Sequence, residues 1–366
     1  MKFTVDATYE TKSIRSIVAA PDFEPELNFF VNVLEFKIAM ISPADNPNYA
    51  ILTRDQFTVA LDKNAKAQPL SIEIPVENQS LIGTGLTGPN GTKVQYVPIV
   101  KNRNTIKNLK PIIHFSRMND TEWVQGRAGM SYRSLTGIHN EICAASQIRI
   151  EGSGKVADWV HYHDVSFQTL FCINGSAKLV YEDQGEPFRL FAGNCVIQPP
   201  EIRHKVLYAS DNIEVIEIGV PAEHITTIDH DMKLPTKVFN PEREFKGQKF
   251  VHNRADGATW SDFRIPGFKC RDTTIAANTK NVAGVQVIRP NGAAIKSSKH
   301  NCDILFNFVM EGGMTLTASD QPPNELTSGD AFVIPPNLST EYSNVSKDLE
   351  LLEVSLPGKF TTYYDT

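Results

Sequence analysis

His161-Tyr162-His163-Asp164-Val165-Ser166-Phe167-Gln168 is the stretch on which the fold turns. Two imidazoles two places apart stand on one face of a strand, because side chains alternate along extended chain. The apolar run Thr169-Leu170-Phe171-Cys172-Ile173 continues the next strand and stops before Gly175, with six residues between Gln168 and that glycine. A third imidazole, His204, follows within Arg203-His204-Lys205-Val206-Leu207. For the three rings to meet, these strands must return side by side, as strands of a closed β-barrel do. A group of imidazoles on the inner face of a small barrel suits Fe(II), Ni(II), Zn(II) or Mn(II). Leu170, Cys172, Val206 and Tyr208 keep the parity of Gln168 or His204 and are expected to line the pocket.

The first cluster, with Gly154 upstream and Gly175 downstream, resembles the first motif of the cupin family. Glutamine stands where that family usually has glutamate, and Gly154 lies one place further from His161 than is usual. Gly193, five residues, Pro199, one residue, Glu201, two residues, His204 resembles the second motif. Tyr208 occupies its usual asparagine, and Glu201 replaces a common turn glycine, which implies a turn of different shape. The resemblance spans residues 154–208 and implies a single divalent-metal site held by His161, His163, Gln168 and His204. Gln168 either ligates through its carbonyl oxygen or turns aside to hold a metal-bound water or substrate.

An internal repeat carries the reading further. Ile213-Glu214-Val215-Ile216-Glu217-Ile218-Gly219-Val220-Pro221 lines up with Leu349-Glu350-Leu351-Leu352-Glu353-Val354-Ser355-Leu356-Pro357. Phe191-Ala192-Gly193-Asn194-Cys195-Val196-Ile197-Gln198-Pro199-Pro200 matches Thr327-Ser328-Gly329-Asp330-Ala331-Phe332-Val333-Ile334-Pro335-Pro336, and Arg149 pairs with Arg289. The repeated unit is about 90 residues of short strands, with a linker near residues 224–247. At the four ligand positions the second copy has Ser298, His300, Leu305 and Thr340. One histidine and hydroxyls do not make a normal divalent site, and Asp303 sits two residues out of register. The second barrel is therefore expected to be metal-free and to supply stability, a dimer surface, a lid or a metal-free small-molecule pocket.

Ahead of the repeat, Ile14–Ala20 reads as a strand and Glu24–Glu35 as an amphipathic helix, with Leu27, Phe30, Val31 and Leu34 at three- and four-residue spacing. Strands follow at 36–41, 49–52, 58–61, 71–74 and 93–97, the last after the turn Gly88-Pro89-Asn90-Gly91. The β-α-β-β-β order, with Asn28-Phe29-Phe30-Val31-Asn32-Val33-Leu34-Glu35-Phe36, resembles one module of the vicinal-oxygen-chelate family, which includes glyoxalases. That family's metal modules carry a histidine on the first strand, whereas the first histidine here is His114. A structural or interface role is expected for this segment. The fold expected is mainly β, with a small α/β glyoxalase-like module at 1–105, a metal-bearing cupin barrel at 130–222 and a degenerate barrel at 260–358.

Composition agrees with a globular chain of several domains: 366 residues, 41% hydrophobic and 21% charged, with 22 glycines and 22 prolines that suit many turns. The net charge of −6 is mixed along the chain, and no basic block exceeds the Lys107–Lys110 region, so a nucleic-acid partner is not expected. No run of about 18 apolar residues spans a bilayer and no signal peptide is visible. Five scattered cysteines without a CxxC pair read as buried thiols in a reducing, cytoplasmic compartment. The bicupin resemblance adds the expectation of a homodimer.

Three imidazoles and an amide leave the double charge of a bound cation uncompensated. The site is thus expected to take an anionic, oxygen-rich, bidentate small molecule such as an enolate, catecholate or diketone. Bicupin dioxygenases of aromatic-ring degradation resemble this chain, which implies Fe(II) and oxidative C–C cleavage. With Zn(II), Ni(II) or Mn(II), related cupins act as non-redox lyases, isomerases, hydrolases or cyclases, and a binding cupin without turnover is a third class. Turnover requires a proton-transfer group. Tyr208, by parity with His204, and Glu217, if it faces inward with Val215, are the candidates.

Overall fold

The computed structural model describes residues 14–99 and 112–364, apart from 44, 56, 127–128, 138–142, 293–295 and 320. The Lys107–Lys110 region lies outside them. The chain divides into two compact units, residues 1–101 and 102–366.

The first unit forms a four-stranded sheet whose outer strand Ser16–Ala19 lies parallel to Phe57–Asp62, followed by Tyr49–Arg54 and Lys37–Ser42. The helix begins at Phe23 and runs to Asn28, then widens into a π turn over Phe29–Val33 that is closed by the Leu34 amide donating to the Phe29 carbonyl. Its apolar stripe packs as the spacing predicts, with Phe30 and Leu34 fully buried against Leu52 and Val59. Glu26 is buried rather than displayed at the helix start. It accepts a hydrogen bond from the Asn90 amide at 2.9 Å, and burial raises its pKa. The turn at Gly88–Gly91 is thereby fastened to the helix. A second sheet orders Ser71–Val76, Lys93–Pro98 and Gly85–Thr87.

The second unit contains two barrels, each made of a larger and a smaller antiparallel sheet. In the first barrel the larger sheet runs Val251–Asn253, Cys195–Ile197, Phe167–Asn174, Ile213–Val220, Ala144–Ile150, Met130–Ser134 and Val124–Gln125. The smaller runs Phe188–Phe191, Ser176–Tyr181, His204–Ala209, His161–His163 and Thr226–Ile228. The second barrel repeats this plan. Its larger sheet runs Ser261–Asp262, Phe268–Asp272, Gly284–Pro290, Glu350–Leu356, Ile304–Glu311, Ala331–Ile334 and His114–Ser116. Its smaller sheet runs Asn324–Thr327, Gly313–Ala318, Thr340–Ser343, Ser298–His300 and Thr362–Tyr364.

The barrels reach beyond the span of the repeat because each is completed by short strands outside it. Thr226–Ile228, within the expected linker, pairs with His161–His163, and Thr362–Tyr364 pairs with Ser298–His300. The edges are also exchanged. Val251–Asn253, just ahead of the second barrel, closes the larger sheet of the first, while His114–Ser116, ahead of the first, closes that of the second.

Between the larger sheets lies one apolar core, contributed by Phe171, Ile216 and Ile218 of the first barrel and Phe306, Phe308 and Val354 of the second. Burying both faces of these strands is what their unbroken apolar runs are for. Two arginines cross the interface in matching fashion. Arg133, fully buried, donates to Gln147 Oε1 and to the Gly329 carbonyl of the second barrel. Arg271 donates to the Gly193 carbonyl of the first at 2.7 Å and to Asn253 Oδ1 at 3.0 Å. Gly193 and Gly329 hold φ at +83° and +91°, a region that glycine enters without strain. Arg149 and Arg289 stack over Trp123 and Trp260 at 4.1 and 4.6 Å, a structural pairing in both copies. All five cysteines are buried thiols. Among the described residues no helix is long and apolar enough to cross a membrane.

Candidate metal centre

The three histidines meet inside the first barrel. Register places His161 opposite His204 across the antiparallel ladder, and His163 follows on the same face. The ring centroids of His161 lie 4.3 Å from His204 and 5.1 Å from His163, and those of His163 and His204 are 5.2 Å apart. One nitrogen from each ring lies within 4.8 Å of the others, a group able to hold a metal ion.

Each ring is oriented through its other nitrogen. His161 Nδ1 donates to the Trp159 carbonyl at 2.8 Å, with Asp158 Oδ1 at 3.5 Å, and His204 Nδ1 donates to the Ile202 carbonyl at 2.9 Å. His163 Nδ1 is hydrogen-bonded to Thr226 Oγ1 at 2.8 Å. A proton at Nδ1 leaves Nε2 as the lone-pair nitrogen of a neutral imidazole, which fixes both tautomer and aim of a ligating ring. Asp158 is itself held by the Val206 amide at 2.9 Å, and Tyr181 stacks on His204 with ring centres 5.5 Å apart.

Gln168 is fully buried on the strand that follows in sequence, in the larger sheet of the same barrel. Its Nε2 donates to Glu217 Oε1 at 2.7 Å, while its Oε1 has no hydrogen-bond partner. A buried carbonyl oxygen left without a donor is unfavourable, and a cation held by the three rings would satisfy it. The donors therefore fit a divalent metal: three neutral nitrogens and one neutral oxygen.

Glu217 turns into the barrel. The ladder pairs it with Ser146 on one side and Leu170 on the other, while Ile216 and Ile218 enter the core between the barrels. Two apolar neighbours next to a charged residue left its direction open in sequence; a strand buried on both faces decides it.

Tyr208 does not reach the pocket, contrary to its expected role there. The strand His204–Ala209 carries an irregularity: Lys178 pairs with Tyr208 but Leu179 pairs with Val206, so Leu207 is an extra residue. A β-bulge reverses parity beyond it. Ala209 accordingly faces the barrel core, and Tyr208 lies outside beneath the guanidinium of Arg189 at 5.5 Å. Of the other expected liners, Leu170 and Val206 line the cavity, whereas Cys172 is packed in the adjacent core. Arg203 points outward to Asp229 and Tyr162.

Several residues of the site lay outside the sequence reading. His224 lines the cavity with its ring 5.2 Å from His163, and Thr226 anchors that histidine; both belong to the stretch read as linker. Gln198, paired with the Tyr181 hydroxyl at 3.1 Å, also lines it. The match between the segments that follow each repeat, Thr226 with Thr362, was the available signal.

The second barrel keeps the register and loses the donors. Ser298 pairs with Thr340 as His161 pairs with His204, and Leu305 faces Ser355 as Gln168 faces Gly219. His300 Nδ1 accepts a hydrogen bond from the Cys302 amide, and Asp303 is exposed. Among the described residues no second group comparable to the three histidines forms.

No protein-family model matches the chain, and no curated protein matches its sequence. Solved structures do. Oxalate decarboxylase from Lactobacillus farciminis, as a formate complex, is 13% identical with a TM-score of 0.51, covering 73% of this chain and 91% of that one. Oxalate decarboxylase from Bacillus subtilis at pH 4.6 is 15% identical with a TM-score of 0.51, covering 73% and 81%. Salicylate 1,2-dioxygenase from Pseudaminobacter salicylatoxidans is 12% identical with a TM-score of 0.48, covering 61% and 75%. Two barrels of this plan joined face to face and the two decarboxylase structures agree on the architecture: the chain has a bicupin fold.

Proposed function

We propose that the first barrel is the active site of a metal-dependent dioxygenase that cleaves a C–C bond of an anionic enol, phenol or diketone-like small molecule. One observation supports this above the rest. Three imidazoles held at Nδ1 converge inside the first barrel, where among the described residues no carboxylate joins their group, and the buried Oε1 of Gln168 in the same barrel has no hydrogen-bond partner. His161, His163, His204 and Gln168 would hold the ion, with Fe(II) expected and Zn(II), Ni(II) or Mn(II) compatible. When bound, such a cation supplies Lewis acidity and, as Fe(II), redox chemistry with O2.

The chain's own residues then have separate tasks. Neutral donors favour an anionic, bidentate oxygen ligand. Glu217 Oε1, fixed by the Gln168 amide, can take the proton that an enol or phenol gives up on binding. His224 and Gln198 offer hydrogen bonds at the cavity wall. Leu170, Leu179 and Val206 exclude water around the organic part.

Glu217 also favours a second reading. A carboxylate beside a Lewis-acid site can move protons without oxidation, as a lyase, isomerase, hydrolase or cyclase requires. Elemental analysis of protein purified without added metal, followed by oxygen uptake with diketone and phenolic substrates, separates the two. Iron with substrate-dependent uptake is expected; zinc or nickel with anaerobic turnover would move the assignment to the second. His161→Ala and His204→Ala should lose the metal and His300→Ala should retain it. Metal kept by the first two variants would overturn the site itself.

A further inference from the structure

The cavity lined by the three histidines is ≈220 Å³. At ~30 Å³ per water that is roughly seven water volumes, room for one small ring and its substituents. Its walls change character along the barrel. In the larger sheet, Ala144, Gly219 and Gln168 share one row across the ladders, Ser146, Glu217 and Leu170 the next, and Ile148, Val215 and Cys172 the third. In the smaller sheet, Tyr181, His204 and His161 form a row, then Leu179 with Val206, then Ala177 with Ala209. Successive rows are two residues, or ~7 Å, apart. Most groups that bond hydrogen or metal occupy the first rows, and beyond Glu217 the walls are mainly apolar, with Tyr132 beside Ile148 in the third row. Among the described residues that line this cavity, none is lysine or arginine.

The second barrel shows what makes the space. Its ladders place Met314 where the first barrel has Ala177, and Tyr342 where it has Val206. Both larger side chains are buried in the apolar filling of that barrel. The second barrel keeps a cavity of ≈660 Å³ beside Gln286, Glu353 and Ser355, but Met314 and Tyr342 are not among its lining residues; the depth that is open at Ala177 and Val206 in the first copy is filled by these two side chains in the second.

We propose, on the reading that this cavity is the catalytic pocket, that its substrate is a monoanion with one chelating end and an apolar, ring-sized body. Its length limit is set by Ala177 and Val206. The chelating oxygens meet the histidine end, and the body lies between Val206, Leu179, Val215 and Ile148. A small dicarboxylate is disfavoured, because its second charge would face Glu217 and mainly apolar side chains with no cation to meet it.

The test uses the metal-loaded protein and three probes: acetohydroxamate, benzohydroxamate, which has the same chelating head on a phenyl ring, and oxalate. Binding is read by calorimetry. Benzohydroxamate should bind about tenfold or more tighter than acetohydroxamate, the gain expected from burying a ring, and oxalate should bind more weakly than benzohydroxamate. Ala177→Met and Val206→Tyr, each taken from the matching place in the second barrel, should remove most of that gain while acetohydroxamate affinity and metal content hold. If either large side chain unfolds the barrel, Ala177→Val should lower benzohydroxamate affinity about threefold by the same crowding. Oxalate binding as tightly as benzohydroxamate, no gain from the ring, or a gain untouched by the variants would each overturn the proposal. Failure of all three probes on a metal-loaded protein is a different result. It would remove the chelation chemistry of the functional reading, and this proposal with it.

Discussion

Gln168 sets the charge of the centre and, through one hydrogen bond, its orientation. Because its Nε2 is committed to Glu217 at 2.7 Å, the amide cannot flip without placing a carbonyl against a carboxylate oxygen. Gln168→Glu would set two carboxyl groups at that distance, so that one of them retains a proton well above the ordinary carboxylate range. The expected outcome is a folded variant that still takes up metal but binds anionic hydroxamates about tenfold more weakly, since the cation would draw the negative charge onto the residue at 168 and leave the proton on Glu217, setting an anion in the coordination sphere. Elemental analysis and titration calorimetry check it; unchanged affinity would place Gln168 outside the coordination sphere. At this scale the sequence was most readable for the histidines. Spacing alone put His161 and His163 on one face, and the second motif supplied His204. Glu217 was undecided because its neighbours Ile216 and Ile218 are equally apolar candidates for an interior, and the competing interior belongs to the other barrel.

Among the elements, the short strand Thr226–Ile228 has an influence out of proportion to its length. It pairs with His161–His163 and brings the Thr226 hydroxyl to His163 Nδ1. Thr226→Val keeps the β-branched shape but removes that bond. Metal affinity, measured by competition with a chelator, should fall about 10- to 100-fold, the usual effect of losing a partner behind a ligating histidine, with little change in thermal stability. The strand was not legible because three residues at the start of a linker carry no periodicity. The Tyr208 reading failed for a related reason. Alternation is a rule about regular ladders, and the extra residue at Leu207 is invisible in a run as uniformly strand-like as His204-Lys205-Val206-Leu207-Tyr208. In the first unit, strand existence followed the apolar pattern, while the π turn after Asn28 left no mark in it.

Across the whole molecule, one buried and one half-buried histidine link stability to pH. Burial pushes His252 and His300 down to about 4, with the Arg254 and Arg264 charges adding to it. Unfolded, each imidazole titrates near 6.5, so between about 4 and 6.5 the unfolded chain binds more protons. Their contribution is whole above about 6.5 and is lost as pH falls toward about 4. The urea midpoint should therefore drop as pH is lowered from about 7 to about 4.5, and His300→Gln should flatten part of that slope. A variant with the wild-type slope would show that His300 is not among the groups responsible. The two-barrel plan was legible at this scale because a repeat is visible wherever Gly193 and Gly329, or Glu217 and Glu353, fall in step. How the copies join was not, since Arg133 and Arg271 bind backbone carbonyls, which any sequence provides.

The exchanged edges bear on how such a chain comes into being. While it is being synthesised, the first barrel cannot finish its larger sheet until Val251–Asn253 has been made, and His114–Ser116 waits longer still for Ala331–Ile334. A ribosome-bound chain stopped between the copies would carry the three histidines but expose an unpaired strand edge at Cys195–Ile197. The larger sheet of the metal-bearing barrel is thus completed only as its own non-binding copy begins to emerge.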